Sequence, residues 1–210
     1  MKRWVVDNQS NCSGNIENLL DYREVARGEH PTMAPYCYAF MFSDSGLQRA
    51  PELPATTLAE SCYQQMFSDC TNLTNAPELP ATTLAENCYF LMFSDCISLL
   101  RSPALPATTL AKKCYFSMFF GCTNLATLPK IPATQLPLDS CYAMFSYCSN
   151  IKLSTTQTEE YQTAYRIPIS GTGTDYGAFT SMFLHTGGTF TGSDWGVRPN
   201  TTYYTSNTLV

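Results

Sequence analysis

The chain repeats a Met-Phe pair at a nearly constant interval, and this period constrains the fold more than any other feature. The methionines are 25, 26, 26 and 26 residues apart, at Met41, Met66, Met92, Met118 and Met144. A fixed period of this length is typical of arrays in which each unit packs on the next. Because one unit cannot bury its apolar side chains alone, the sequence predicts stacked coils that share an interior.

Each unit is predicted to begin with a short strand. In the unit spanning 72–96, residues 73–79 read as extended but include Pro77, which cannot donate a hydrogen bond to a sheet. Equivalent prolines are Pro51, Pro103 and Pro129. We therefore expect parallel strands of only about three or four residues.

The second half of each unit is predicted to be a short helix. Thr83 and Glu86 have the spacing of a capping box. Leu84, Cys88 and Met92 fall on one side when successive residues are placed at ~100°. The broad apolar face this produces would cover the neighbouring units.

The ten cysteines follow the repeat, which favours buried free thiols. Nine occupy two positions, the first being Cys37, Cys62, Cys88, Cys114 and Cys141, and the second Cys70, Cys96, Cys122 and Cys148. An eight-residue separation spans ~12 Å in a helix, more than the ~7 Å that a disulfide permits between Cα atoms. It also matches no zinc-ligand spacing. Cys12 lies outside both positions and is the thiol most expected to react.

Composition narrows the class of partner. The formal charge is −5 and no basic stretch occurs, so nucleic acid and anionic membranes are poor partners. No apolar run is long enough to span a bilayer. The first residues lack the apolar stretch of a signal peptide. We divide the chain into an N-terminal cap with a short helix (1–30), about five repeats (31–151), and a degenerate repeat with a C-terminal cap (152–210).

Little in the sequence points to catalysis. No Gly-x-Ser-x-Gly elbow is present, and two histidines leave little scope for acid–base chemistry at neutral pH. The glycine-rich stretch 171–177 lacks the lysine of a phosphate-binding loop and is predicted to be a turn. We expect no metal and no cofactor. An enzyme would need a polar cleft that gathers Asp175, His185 and Asp194.

Specificity is expected at positions that vary between units. These candidate interaction residues are Gln48, Arg49, Thr74, Asn75, Leu100 and Arg101 at the strand starts, with Phe90 and Phe116 in the second halves as an apolar patch. A tyrosine directly follows the cysteine at the first of the two repeat positions, at Tyr38, Tyr63, Tyr89, Tyr115 and Tyr142. A half-buried stacking ladder is the favoured interpretation of these tyrosines, and a stripe that binds protein or glycan is the alternative.

The order of residues in the repeat resembles a known family. Leu79-Pro80, Leu84, Cys88, Met92-Phe93, Cys96 and Leu99 are similar to the pattern of the BspA-type, or Treponema-type, leucine-rich repeats of bacterial surface proteins. The resemblance covers roughly residues 36–153.

This resemblance implies an α/β repeat fold, a right-handed leucine-rich-repeat solenoid with short parallel strands on its concave side and short helices on its convex side. It also implies an extracellular or cell-surface location and adhesion to a protein or glycan ligand. Since a fold does not fix a function, a structural spacer in a larger assembly and a hydrolase with its site in the C-terminal region remain as alternatives.

Overall fold

A computed structural model of the chain describes residues 11–167, 177–192 and 201–210. Its regular elements are α1 (Asn18–Ala26), β1 (Thr127–Leu128), β2 (Lys152–Ser154), β3 (Thr163–Arg166), β4 (Gly187–Gly188), β5 (Thr202–Thr205) and β6 (Thr208–Leu209). Strand β1 pairs in parallel with β6, and a second sheet has the order β3-β5-β2-β4. Turns and extended segments make up most of the remaining described residues.

We number the units by their Met-Phe pairs, so that Met66 belongs to unit 2. Each unit has an extended half, which is residues 47–59 in unit 2, followed by a turn half, which is residues 60–70. The helix predicted for the turn half was wrong, because hydrogen-bonded turns occupy this segment throughout units 1 to 5. In the described part of the chain α1 is the one α-helix.

Backbone hydrogen bonds in the turn half alternate between two directions. The N–H of Cys62 donates to Ala59 O within the unit at 3.3 Å, and the N–H of Tyr63 donates to Cys88 O in the next unit at 3.1 Å. The same alternation continues along residues 62–70. A helix would direct all these bonds along its own axis, whereas here half of them join stacked units.

A left-handed residue at every fourth position produces this path. The angle φ is 52° at Ser61, 50° at Gln65 and 60° at Asp69. The equivalent residues of unit 3 are Asn87, Leu91 and Asp95. Such a backbone costs roughly 1–2 kcal/mol for an ordinary residue and less for Asn or Asp. The hydrogen bonds to the next unit and the burial of the intervening side chains offset that cost.

The interior consists of identical side chains stacked unit upon unit. Successive phenylalanine rings lie 5.5–5.7 Å apart and within 7° of parallel, in the order Phe42, Phe67, Phe93, Phe119, Phe145 and Phe183. A second stack contains Tyr38, Tyr63, Tyr89 and Tyr115 at 5.6–6.0 Å. Although Phe183 follows a longer insertion, it continues the first stack. The described part of 152–210 therefore adds a further layer.

The fifth unit departs from the register predicted for its cysteine. The N–H of Tyr115 donates to Ser140 O at 2.8 Å, whereas the N–H of Tyr89 donates to Cys114 O. Ser140 is thus the structural equivalent of Cys114, and Cys141 takes the next position, which tyrosine holds in units 1 to 4. The assignment of Cys141 to the first cysteine position was wrong by one residue, because the Met-Phe pair keeps its register.

A tyrosine from β3 is buried against the phenylalanine stack. Tyr165 is buried, and its hydroxyl donates to Pro129 O at 3.1 Å. Its ring meets Phe183 edge-on at 6.1 Å. Burial raises the pKa of Tyr165, with a smaller contribution from Cys141. The C-terminal region therefore completes the interior where the tyrosine stack ends.

Prolines reduce the strands of the extended halves to single bridges. One parallel ladder, before the first proline, joins Arg49, Asn75 and Arg101. Another, after the second proline, joins Thr57, Thr83 and Thr109. These contacts are shorter than the three or four residues predicted, because the prolines between them donate no hydrogen bonds.

Terminal segments of the chain occupy the exposed positions of this ladder. Asn11 pairs with Arg49 and Asn15 with Glu52 at the first edge. After the fifth unit, β6 pairs with β1, and β5 pairs with β2 on one side and with β3 on the other. Covering a strand edge in this way blocks pairing with another chain.

Asn207 joins the C-terminal segment to two layers of the array. Its side-chain amide donates to Ala126 O at 3.1 Å and to Asn150 O at 2.8 Å. Its side-chain oxygen accepts from the N–H of Lys152 at 2.6 Å. One side chain therefore replaces the backbone bridge that would otherwise link these layers.

Candidate interaction surface

The extended half alternates buried and exposed side chains with a period of two. In unit 2, Pro51, Leu53 and Ala55 are buried, whereas Glu52 and Thr56 are exposed. This is the pattern of an extended backbone with one face on a core. Because the units stack in register, their exposed side chains form rows across the array. The same alternation recurs at 103–108 and 129–134.

We call Arg49, Asn75 and Arg101 the arginine column. All three are exposed, and parallel bridges join their backbones directly. Neighbouring rungs of a sheet are about 4.8 Å apart, so the two arginine Cα atoms lie roughly 10 Å from each other. Within the described residues, neither guanidinium has a hydrogen-bond or ion-pair partner. The column therefore presents two unengaged cations on a fixed backbone.

A second exposed row lies three residues further along the extended halves. It consists of Glu52, Glu78, Ala104 and Lys130. The charge of this row changes from acidic to basic along the array. In this row, the residue of the same unit as Arg49 is Glu52, a carboxylate. The residue of the same unit as Arg101 is Ala104, which carries no charge.

The residues that precede the arginine column belong to the same face. Thr74 is exposed and its backbone carbonyl accepts from the N–H of Leu100 at 3.1 Å. Leu100 is 51% exposed, and Gln48 is half-buried. The structure thus brings six of the eight predicted interaction residues together.

Phe90 and Phe116 lie in the turn halves instead, and they form a stack. Their rings are 4.8 Å apart, and Tyr142 follows at 4.6 Å from Phe116. The Lys113 ammonium lies 5.7 Å from the Phe116 centroid. All three rings are half-buried, so the predicted apolar patch is smaller than expected.

The geometry of this stack limits what it can bind. Phe90 covers one face of Phe116 and Tyr142 covers the other, so solvent meets mainly the edges of the middle ring. A sugar ring packs against an aromatic face, where the π electrons are. The stack is therefore poorly arranged as a glycan platform.

The tyrosine ladder is more deeply buried than predicted. Tyr38, Tyr63, Tyr89 and Tyr115 are each at most 2% exposed. Burial raises the pKa of each phenol well above its usual value. These four side chains are therefore interior groups and not a ligand-binding stripe.

Each cysteine at the second position has a structural role that sequence reasoning missed. The Cys96 thiol donates to Phe67 O of the preceding unit at 3.0 Å, and the Cys122 thiol donates to Phe93 O at 3.0 Å. The equivalent thiols of Cys70 and Cys148 do the same. A small buried donor is needed at this position, and its regular place after each Met-Phe pair was the available signal.

All ten cysteines are free thiols, and eight of them are buried. Burial raises the pKa of Cys62 and of Cys114 to about 12. Protonated thiols are weak nucleophiles at neutral pH. Cys12 and Cys37 are half-buried, and burial raises their pKa values as well. Cys12 is therefore more accessible than the buried thiols, although its thiolate is disfavoured.

The catalytic alternative rested on three residues, of which Asp175 and Asp194 lie outside the described residues. His185 is exposed and its ring lies 4.7 Å from that of Tyr147. In the described part of the chain, no three His, Cys, Asp or Glu side chains are grouped to hold a metal ion. Within the same ranges, no helix has the length and apolar character to cross a bilayer.

Comparison of the chain with known protein families, with curated proteins and with solved structures finds no significant match.

Proposed function

We propose that this protein is a non-enzymatic binding module of the BspA-type leucine-rich-repeat class, which adheres to a macromolecule at the surface of a bacterium. In this proposal the array is a right-handed solenoid, and its extended face is the binding surface. The turn halves form the opposite side and hold the units together.

The arginine column is the observation that carries the proposal. Its two guanidinium groups are exposed and have no partner among the described residues, and backbone bridges fix the separation of the two Cα atoms. A surface whose backbone is already ordered loses little conformational entropy on binding. Guanidinium groups bind carboxylates through two parallel hydrogen bonds. The column is therefore suited to a ligand, protein or glycan, that carries carboxylate groups.

The buried thiols are compatible with a location outside the cell. Exported proteins usually form disulfides, but eight thiols here are enclosed in the array. A buried, protonated thiol is protected from oxidants. Free cysteines therefore do not argue against export in this chain.

The proposal is tested by binding to a glycan array and to extracted cell-surface proteins. The test variant carries Arg49→Ala and Arg101→Ala, and the matched control carries Phe90→Ser and Phe116→Ser on the turn side. We expect carboxylate-bearing ligands to be retained by the wild type and the control. The arginine variant should lose them, and added salt should weaken wild-type binding. Binding that depends on the phenylalanines instead would refute the proposed surface.

A structural spacer is the second candidate, and the uninterrupted phenylalanine stack favours it. Six rings in contact from Phe42 to Phe183 give a stiff rod with no need for a ligand. The absence of binding to every glycan and surface protein in the same experiment would support this candidate. An enzyme is not proposed.

A further inference from the structure

The N-terminal cap places a carboxylate inside the molecule. Glu17 precedes α1 and its side chain is completely buried. One carboxylate oxygen, Oε2, lies 2.8 Å from Nδ1 of His30, whose side chain is half exposed. A buried carboxylate requires partners for both oxygens, because each loses its hydration on folding.

The second oxygen lacks such a partner. Glu17 Oε1 is enclosed and has no hydrogen bond to any described residue. The hydroxyl of Tyr63 is enclosed in the same way. Orphaned buried polar atoms are uncommon in folded proteins and usually indicate a water molecule or ion.

Of the three such atoms in the described residues, which include Ser61 Oγ, the Glu17 oxygen and the Tyr63 hydroxyl lie in one region. The hydroxyl of Tyr38 donates to the carbonyl of Ile16, the residue next to Glu17, at 3.2 Å. The ring of Tyr63 is stacked on that of Tyr38 at 5.6 Å and 9°. The Tyr63 hydroxyl therefore lies about one ring spacing from the Tyr38 hydroxyl, which contacts the N-terminal cap. The negative charge of Glu17 also contributes to raising the pKa of both tyrosines, after burial and nearby thiols.

We infer that one water molecule is enclosed beneath the N-terminal cap, where it donates to Glu17 Oε1 and bonds to the Tyr63 hydroxyl. A buried water makes two to four hydrogen bonds, and these two groups supply two of them. The water would add a contact between the N-terminal cap and the second unit, which already meet at the bridge of Asn15 with Glu52.

A metal cation fits the site less well. Ca²⁺ takes six or more oxygen ligands, and the groups identified around this site provide two. A single water satisfies both orphaned groups without a change of charge.

The test is the substitution Tyr63→Phe, with Tyr89→Phe as the matched control. Tyr89 is in the next layer of the same stack, but its hydroxyl is not among the enclosed, unpartnered atoms. If the water is present, Tyr63→Phe removes one of its partners, and the thermal midpoint should fall about 2–4 °C below that of the control. If the site is dry, removing an orphaned hydroxyl relieves its desolvation cost and the midpoint should rise.

A crystal structure of the full chain gives an independent readout. Electron density for a water within about 3 Å of Glu17 Oε1 and of the Tyr63 hydroxyl is expected. A midpoint equal to or above that of Tyr89→Phe would overturn the inference. So would a site with no density, or a direct contact between the two side chains.

Discussion

The two halves of each repeat of about 26 residues have different structural roles. The turn half buries Met, Phe and Cys side chains and bonds its backbone to the next unit. The extended half contains prolines, makes few backbone bonds, and leaves alternate side chains in water. In the turn half the buried residue types are nearly constant between units. In the extended half the exposed residues differ in the arginine column and in the row that begins at Glu52, whereas the exposed threonines are retained.

This contrast shows where the array tolerates change. A buried side chain in the turn half contacts its equivalents in the layers on both sides, so its shape must fit two neighbours. An exposed side chain of the extended half contacts mainly solvent, so its chemistry can differ at each layer. Stability should therefore reside in one half and recognition in the other.

The largest expected effect is a loss of stability at alkaline pH, which arises from the buried thiols of the turn half. Burial raises the pKa of Cys62 and Cys114 from 9.0 to about 12. Their stabilising contribution is complete below pH 9, because both states are then protonated. Between pH 9 and 12 the unfolded state loses the proton first, so stability falls by about 1.4 kcal/mol per pH unit for each such thiol. Urea unfolding at pH 8, 9 and 10 measures this decline.

The matched control for this prediction is Cys114→Ser. Serine already holds the equivalent position in unit 5 as Ser140, and its hydroxyl does not titrate in this range. The variant should lose stability at neutral pH, yet its decline between pH 9 and 10 should be shallower by the contribution of one thiol. Equal slopes in the two proteins would show that the thiol is not protected by burial.

The next effect compares a substitution in each half. Phe93→Ala opens a cavity between Phe67 and Phe119, which lie 5.5 and 5.6 Å from it. We expect it to lower the free energy of unfolding by about 3–5 kcal/mol. Glu78→Ala, on the exposed face of the same unit, should change it by less than about 0.5 kcal/mol. Comparable losses in urea denaturation would disprove the division between the halves.

The smallest effect concerns the left-handed positions of the turn half. Gly121 has φ 71°, and an added Cβ would collide with the side chain of Asp95 in the preceding unit. Gly121→Ala should therefore cost about 1–3 kcal/mol. In an Asp95→Ala background only the backbone cost remains, so the same substitution should be less damaging. Additive effects in a double-mutant cycle would exclude this contact.

The period and the identity of the buried residues were accessible from the sequence, but the secondary structure of the turn half was not. In this half, inward-facing pairs recur every four residues, as in Cys62-Tyr63 and Met66-Phe67. A helix has 3.6 residues per turn, so over nine residues its apolar face is almost indistinguishable from this pattern. The distinguishing signal was Asp or Gly at Asp69, Asp95 and Gly121, residue types that tolerate a positive φ.

The interaction residues were predicted by variation alone, and their role stays a prediction. Arg49, Asn75 and Arg101 could be placed on one face because they share a repeat position. Phe90 and Phe116 were predicted to be exposed, but their outcome depended on Tyr142, which arrives beside them through the register of the fifth unit. A contact between units of different length cannot be predicted from the sequence of either unit alone, because it depends on how the two units align.

The sequence by itself determined that this protein repeats every 26 or so residues and which side chains each unit must bury, because apolar groups at a fixed period require equivalent neighbours. The tertiary structure decided how the backbone between them is bonded. A chain segment of eleven residues could bond to itself as a helix or to the adjacent layers as turns. Only the layers above and below, which supply carbonyl groups and stacked rings at the right distance, made the second path the stable one.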